Sequence, residues 1–495
     1  MQKKLLALAV ASAIASPVVM ADTAVYGTIN LSIDSVGGGA TSLATNALAT
    51  DFISNGTSNL DGAGAWAGTN VAQARGMRPF YQAMALSSDT RTRVTSGNSF
   101  LGIKGSEKIN DDLSAVYQWE FSVNFDQQDT SNLGTSDAQT SQSKRSTFAG
   151  LASKNMGTFA LGLQDTPLKT STGPLDVFGN TVADYRAIMG AFNGSVRAQN
   201  SVMYTSPSFV GIQAKALYGA GNETGNGDSN YYFPSNASPH VSSFSLSYTG
   251  GPAYVVVAKE RNIQTGSVAA VAGGGNSSSA SPTAAPTFIT GSGGLNSFFM
   301  IVPDVMPATS ATQLGFIGFD TATDTTRAGL GLKFGGFKAG LAYEKTEAEI
   351  SATAYRPTAL NGSSTGFAGT GGVAGAASAG TYHLFSGEAT RKAYYLSAGY
   401  TIGSVTVMGA YGKAKDADGT NCVACGNDTG STQISGGVVY SLSKNTSLFG
   451  VYTTMKNEDN AFYSVAGGAT GVAGVTAADI GEAPRAISMG MKTSF

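Results

Sequence analysis

Cys422 and Cys425 are the only two cysteines of the 495-residue chain, and their C-x-x-C spacing fits a redox pair, half of a zinc site or a small disulfide. A structural zinc needs four ligands, and no second cysteine pair or neighbouring histidine completes the set. A disulfide closing a short loop in an oxidising compartment is therefore the expectation. His240 and His383 are the two histidines on which neutral-pH base chemistry would rest. Neither stands in a pattern that sets a nucleophile and an orienting carboxylate beside it. The glycines fall in turns and low-complexity loops, not in a phosphate-cradling loop between a strand and a helix. The chain is read as a non-enzyme with no metal and no other cofactor. What remains is a set of arginines, lysines and carboxylates whose chemistry would be the sorting of ions, provided that the fold lines a water-filled passage with them.

The elements that could do this begin after a leader. Lys3 and Lys4 precede an apolar run from Leu5 to Ile14, and Val19-Met20-Ala21 offers a cleavage site, so residues 1–21 read as a signal peptide. That run is far short of the roughly 20 residues a membrane-spanning helix needs. The net charge of −2, or −4 without Lys3 and Lys4, gives no basic footprint for nucleic acid. With 65 glycines and 13% charged residues, the chain is unlike a large soluble enzyme, and no later stretch is apolar for 18 residues. A membrane protein of this composition must cross with strands.

Alternation supports this. Val25, Ile29, Leu31 and Ile33 share one parity, while Tyr26, Asn30, Ser32 and Asp34 share the other. Leu113, Ala115, Tyr117, Trp119, Phe121, Val123 and Phe125 alternate with a mostly polar set that includes Glu120. Sixteen such segments run from 22–36 to 484–495, among them 96–108, 251–261, 326–335, 336–346 and 388–402. Tight joins such as Gly335-Gly336 and Gly403-Ser404 alternate with long excursions, as in a barrel with short periplasmic turns and long extracellular loops. The fold class is thus all-β, a sixteen-stranded antiparallel transmembrane barrel formed by a single domain, 22–495. Its large loops, 37–95, 262–325 and 347–387, are rich in Gly, Ser, Thr and Asn and read as surface excursions. The apolar run from Phe298 to Val302 is expected to pack against the rim, a neighbouring subunit or the lumen.

The segments Val25-Tyr26-Gly27-Thr28-Ile29-Asn30, Phe100-Leu101-Gly102-Ile103-Lys104-Gly105, Arg145 to Leu151, Gly157 to Pro167 and Asn200 to Pro207 resemble, in order, the first strands of the general porins of β-proteobacteria and Neisseria. Phe495, in register at the end of an alternating strand, resembles the signal read by the outer-membrane assembly machinery. The resemblance implies a trimer in outer-membrane lipid, passing small hydrophilic solutes and ions, with the third loop folded into the lumen. That loop would be 165–196, bringing Asp165, Asp176, Asp184 and Arg186 opposite Arg145 and Arg197, with Lys104 and Glu120 also on the lumen face. Phe100, Leu163 and Met203 stand where the family's pattern has arginine, so weak charge selectivity is expected. A solute-selective channel and a surface-binding barrel that works through its long loops are the competing readings.

Overall fold

The computed structural model describes residues 22–37, 90–123, 125, 144–189, 197–220, 239–269, 316–356, 380–420, 425–459, 461, 463–465 and 483–495. The leader 1–21, much of the three large loops, the Phe298–Val302 run and Cys422 lie outside the described residues.

Strands account for nearly everything else. In chain order they are β1 (Asp22–Gly37), β2 (Arg91–Ser96), β3 (Phe100–Lys108), β4 (Leu113–Ser122), β5 (Lys144–Ser153), β6 (Gly157–Asp165), β7 (Arg197–Thr205), β8 (Ile212–Gly219) and β9 (His240–Gly250). There follow β10 (Ala253–Ala269), β11 (Phe316–Phe334), β12 (Phe337–Arg356), β13 (Gly380–Ile402), β14 (Val405–Ala414), β15 (Asp418–Thr420), β16 (Ser431–Ser441), β17 (Thr446–Asn457) and β18 (Arg485–Ser494). All belong to one sheet, and β18 pairs antiparallel with β1 from Thr28↔Ser494 to Gly37↔Arg485. The backbone of Phe495 exchanges two hydrogen bonds with Gly27, at 3.0 and 3.1 Å, so the ring closes at the chain's last residue. β2 and β3 are two parts of one crossing, and β15 extends the crossing begun by β14. The 18 segments therefore make a closed barrel of sixteen crossings.

Burial follows the alternation, because one face meets lipid and the other the interior. On β1, Val25 and Ile33 are 63% and 60% exposed, while Asn30 and Asp34 are 3% and 0%. Short turns hold one end: Gly335 and Gly403 sit at φ 55° and 58°, a left-handed conformation that glycine enters without a Cβ clash.

Two features differ from the sequence reading. The crossing expected at 96–108 starts at Arg91 and breaks at 97–99, where Asn98 turns with φ 63°. The four strands β10 to β13 run 17, 19, 20 and 23 residues, well into the expected loops 262–325 and 347–387. A tilted crossing takes about 9–11 residues, so these strands stand far above the bilayer on the long-loop side. There the outer face meets water in place of lipid and carries polar residues too, so the contrast in residue type between the faces fades, while pairing persists through rows such as Thr321, Thr323 and Thr325, all buried on the inner face.

Candidate pore constriction

The connection from β6 to β7, described as far as Met189, runs inside the barrel. Thr166 caps a short helix α1 (Pro167–Ser171) through its hydroxyl, and single turns of 3-10 helix follow at Gly173–Leu175 and Tyr185–Ala187. Leu168, Leu175, Phe178, Val182, Ala183, Ile188 and Met189 are all but fully buried, and most of them form one core cluster with Ala342, Ala393, Ala414, Val451 and Met455 of the wall. The wall makes room by carrying no side chain beneath them. Gly340 lies so close to Leu175 that a Cβ would overlap its carbonyl oxygen, and Gly412 and Gly437 lie beneath Ile188 and Phe178.

Polar pins fix the same segment. Arg327 and Glu344, both 0% exposed, form an ion pair on β11 and β12. Arg327 also donates to the Leu168 carbonyl (3.2 Å) and the Thr172 hydroxyl (3.0 Å), and Arg391 of β13 approaches the other Glu344 oxygen at 3.2 Å. Ser397 donates to the Leu175 carbonyl at 2.6 Å, Lys338 to the Asp176 carbonyl at 2.9 Å and Gln433 to the Ala183 carbonyl at 3.3 Å. On the far side Asn30 donates to the Asn180 carbonyl at 3.1 Å. Ser243 of β9 accepts from the Leu168 N–H at 3.1 Å, so the segment is tied from β9 round to β1 and the lumen lies between it and the rest of the wall.

That remaining face is cationic. Arg145 reaches Glu120 at 3.4 Å, donates to the Asn98 amide oxygen and lies 4.7 Å above the Phe100 ring. The break at 97–99 is what aims Asn98 at it. Tyr26 donates to Glu120 at 2.5 Å, and the Lys104 ammonium lies 4.5 Å from the Tyr26 ring. Asp165 is shared between Arg197 (2.9 Å) and Lys169 (2.8 Å), and Arg186 grips Asp184 at 2.7 Å. Arg145 feels the charge of Arg197, and Lys169 that of Arg197 and Arg186, so these four cations form one electrostatic group. Burial holds Lys169 below its ordinary value, partly offset by Asp165. Burial opposes ionisation of Asp184 too, but the Arg186 guanidinium outweighs it and the carboxyl sits below its usual range.

Asp176 does not face Arg145 across the opening. It is buried on the wall side, accepting from Phe178 N–H at 2.8 Å and from the Tyr395 hydroxyl at 2.7 Å. Burial, with the Asp184 carboxylate nearby, pushes it up to about 7. Asp184 likewise pairs within its own loop, so the expected separation of acidic loop from basic wall is replaced by local ion pairs with cations in excess. Sequence reasoning missed Lys169, Asn98, Arg391 and the glycine seat. The seat left one trace, small residues on lumen parity at Gly329, Gly331, Gly340 and Ala342. Cys425 is buried and disulfide-bonded.

Comparison with known proteins places this geometry. A stretch of 128 residues is 30% identical to major outer membrane protein P.IA of Neisseria meningitidis serogroup B, covering 26% of this chain and 30% of that protein. Another, of 114 residues, is 33% identical to an outer membrane porin protein of Bordetella pertussis, covering 23% and 28%. The matched stretches thus span under a third of these relatives' lengths. The fold resembles the anion-selective porin from Comamonas acidovorans, at TM-score 0.54 and 16% identity over 96% of this chain and 100% of that one. It also resembles in-vitro folded OmpT of Vibrio cholerae in its trimer form, at TM-score 0.52 and 13% identity over 96% and 99%. The family model for Gram-negative porins matches residues 7–460, and the chain belongs to that family.

Proposed function

We propose that the chain is an outer-membrane porin, a water-filled channel for passive diffusion of small hydrophilic solutes and ions, with a preference for anions. The observation that carries this reading is the inner loop seated against one side of the barrel, which leaves a lumen edged by Arg145, Lys169, Arg186 and Arg197. Their carboxylate partners Glu120, Asp165 and Asp184 are fewer than the four cations, so the field in the opening is positive and favours anions at one depth. Diffusion needs no covalent step, and no catalytic role is assigned. His240 shares the outward parity of Phe244 and lies tilted over the Tyr218 ring at 5.7 Å.

In this reading residues 1–21 are removed on export, three copies assemble in the membrane, Cys422 and Cys425 close a loop disulfide, and Phe495 serves the assembly machinery. In a planar bilayer with a salt gradient, the refolded protein gives ohmic steps and a reversal potential on the anion side. Arg145→Ala moves that potential toward cations. Folded protein without conductance, or a potential indifferent to Arg145, overturns the assignment.

A further inference from the structure

The lumen face of β4 to β8 carries an apolar pattern that a passage for water and ions does not need. The interior of an outer-membrane channel is polar. Here Val116, Gly150, Ala160, Met203 and Leu217 pair in succession across the five strands, a row without a polar side chain. It ends on serines, Ser106 of β3 and Ser243 of β9. Phe148 stands one inward step above Gly150, and its partner on β6 is Gly162, which brings no side chain against the ring. The opposite parity faces lipid: Leu151, Phe159, Leu161, Tyr204 and Tyr218 are 42% to 56% exposed on the outer face.

Packing of the inner loop does not account for the row. Among the described residues, the core cluster that seats the loop draws on no residue of β2 to β9. The short helix α1 packs against β8, β9 and β10 and covers only one end, where Leu217 is 4% exposed. Val116, Phe148 and Met203 stay half-buried on the lumen wall. Cations frame this patch. Arg145 and Arg197 stand above it, on the strands that carry Phe148 and Met203. Lys104, Gln118 and Phe148 pair in succession, which sets Lys104 two strands from the ring, about 10 Å from backbone to backbone. Lys215 lies one inward step below Leu217.

We infer, building on the anion-preferring channel proposed above, that the row is a ledge for the flat apolar body of an organic anion, so that among anions of similar size the channel holds aromatic carboxylates best. The carboxylate stays among Arg145, Arg197 and Lys104 while the ring lies along Val116, Phe148 and Met203. Charge alone attracts every small anion. Removal of the ring's face from water is what discriminates among their bodies.

Refolded full-length protein in a planar bilayer in potassium chloride, to which potassium benzoate or potassium gluconate is added, tests this through the loss of chloride current. Both additions are monovalent carboxylates, and gluconate has a hydrophilic body of no smaller size. Benzoate halves the wild-type current at about a fivefold lower concentration than gluconate, the ratio that roughly 40 Å² of apolar contact supplies. In the double variant Phe148→Ser/Met203→Ser, read against its own chloride current, the two anions block alike. Equal block of the wild-type protein by the two anions overturns the inference and leaves the channel reading standing, whereas a folded wild-type protein without chloride current overturns the channel reading and the inference with it. A benzoate preference undiminished in the double variant also overturns the inference. The wild-type comparison uses no substitution and stands even if the variant fails to fold.

Discussion

Asp176 carries the most consequential single proton at the constriction. Its carboxyl holds one loop backbone turn together through Phe178 N–H and ties that turn to the wall through Tyr395. Because its value is raised from about 4 to about 7 by burial and by Asp184, the folded protein keeps a proton that the unfolded chain has already released between those pH values. The stabilisation is complete below about pH 4 and is lost as pH climbs through about 7, falling by about 1.4 kcal/mol for each pH unit crossed between them. Wild-type protein in detergent is accordingly expected to unfold at a lower temperature at about pH 8 than at about pH 5. Asp176→Asn keeps an acceptor for Tyr395 but has nothing to ionise, so its melting temperature varies less over that interval. A variant as pH-sensitive as wild type would assign the dependence elsewhere. The resemblance to the general porins marked Asp176 as a pore residue; it could not say which way a loop side chain turns, and here the hydrogen bonds of the seat turn it to the wall.

At the scale of the element, the crossings were legible and the seat was not. Alternation exposes a strand wherever lipid and water meet opposite faces, as on Leu113 to Phe121, and the Gly-Gly joins mark the turns. Where β10 to β13 rise out of the bilayer both faces carry polar residues, and their upper halves read as loop. The inner loop was expected from the resemblance to the general porins, but its landing site consists of glycines and alanines, which advertise no chemistry. Their importance is steric. Gly340→Val places its branched side chain where the Leu175 carbonyl lies and displaces the neighbouring Ser397 and Lys338 contacts. The loop is expected to lift from the wall, with a changed unit conductance and faster cleavage within 167–189 by added protease. Wild-type conductance and protection in this variant would mean that the seat tolerates bulk.

At the scale of the whole molecule, closure depends on the final residue. Phe495 supplies two of the bonds that join the ends of the sheet, and its ring fills the space beside Gly27. Deleting it leaves β1 and β18 without their lowest pair, at the end where the barrel meets the periplasm, and opens an edge in hydrocarbon. The expected result is a sharp fall in heat-modifiable, folded species on unheated gels, with little change in the amount of exported chain. Undiminished folding of the deletion variant would show that the remaining register is enough.

The same seam sets the tempo of biogenesis. Thr28 and Ser494, which meet through their hydroxyls, are separated by 466 positions in the chain. Contacts so remote in sequence form slowly, because the loop they close must first lose its freedom. Until the last segment has emerged, the first strand has no final neighbour, so the polypeptide must wait in an unclosed, sticky form while it travels. On the proposed porin reading, passage through the periplasm would require something to keep the chain from aggregating, and insertion into the membrane would follow synthesis instead of accompanying it.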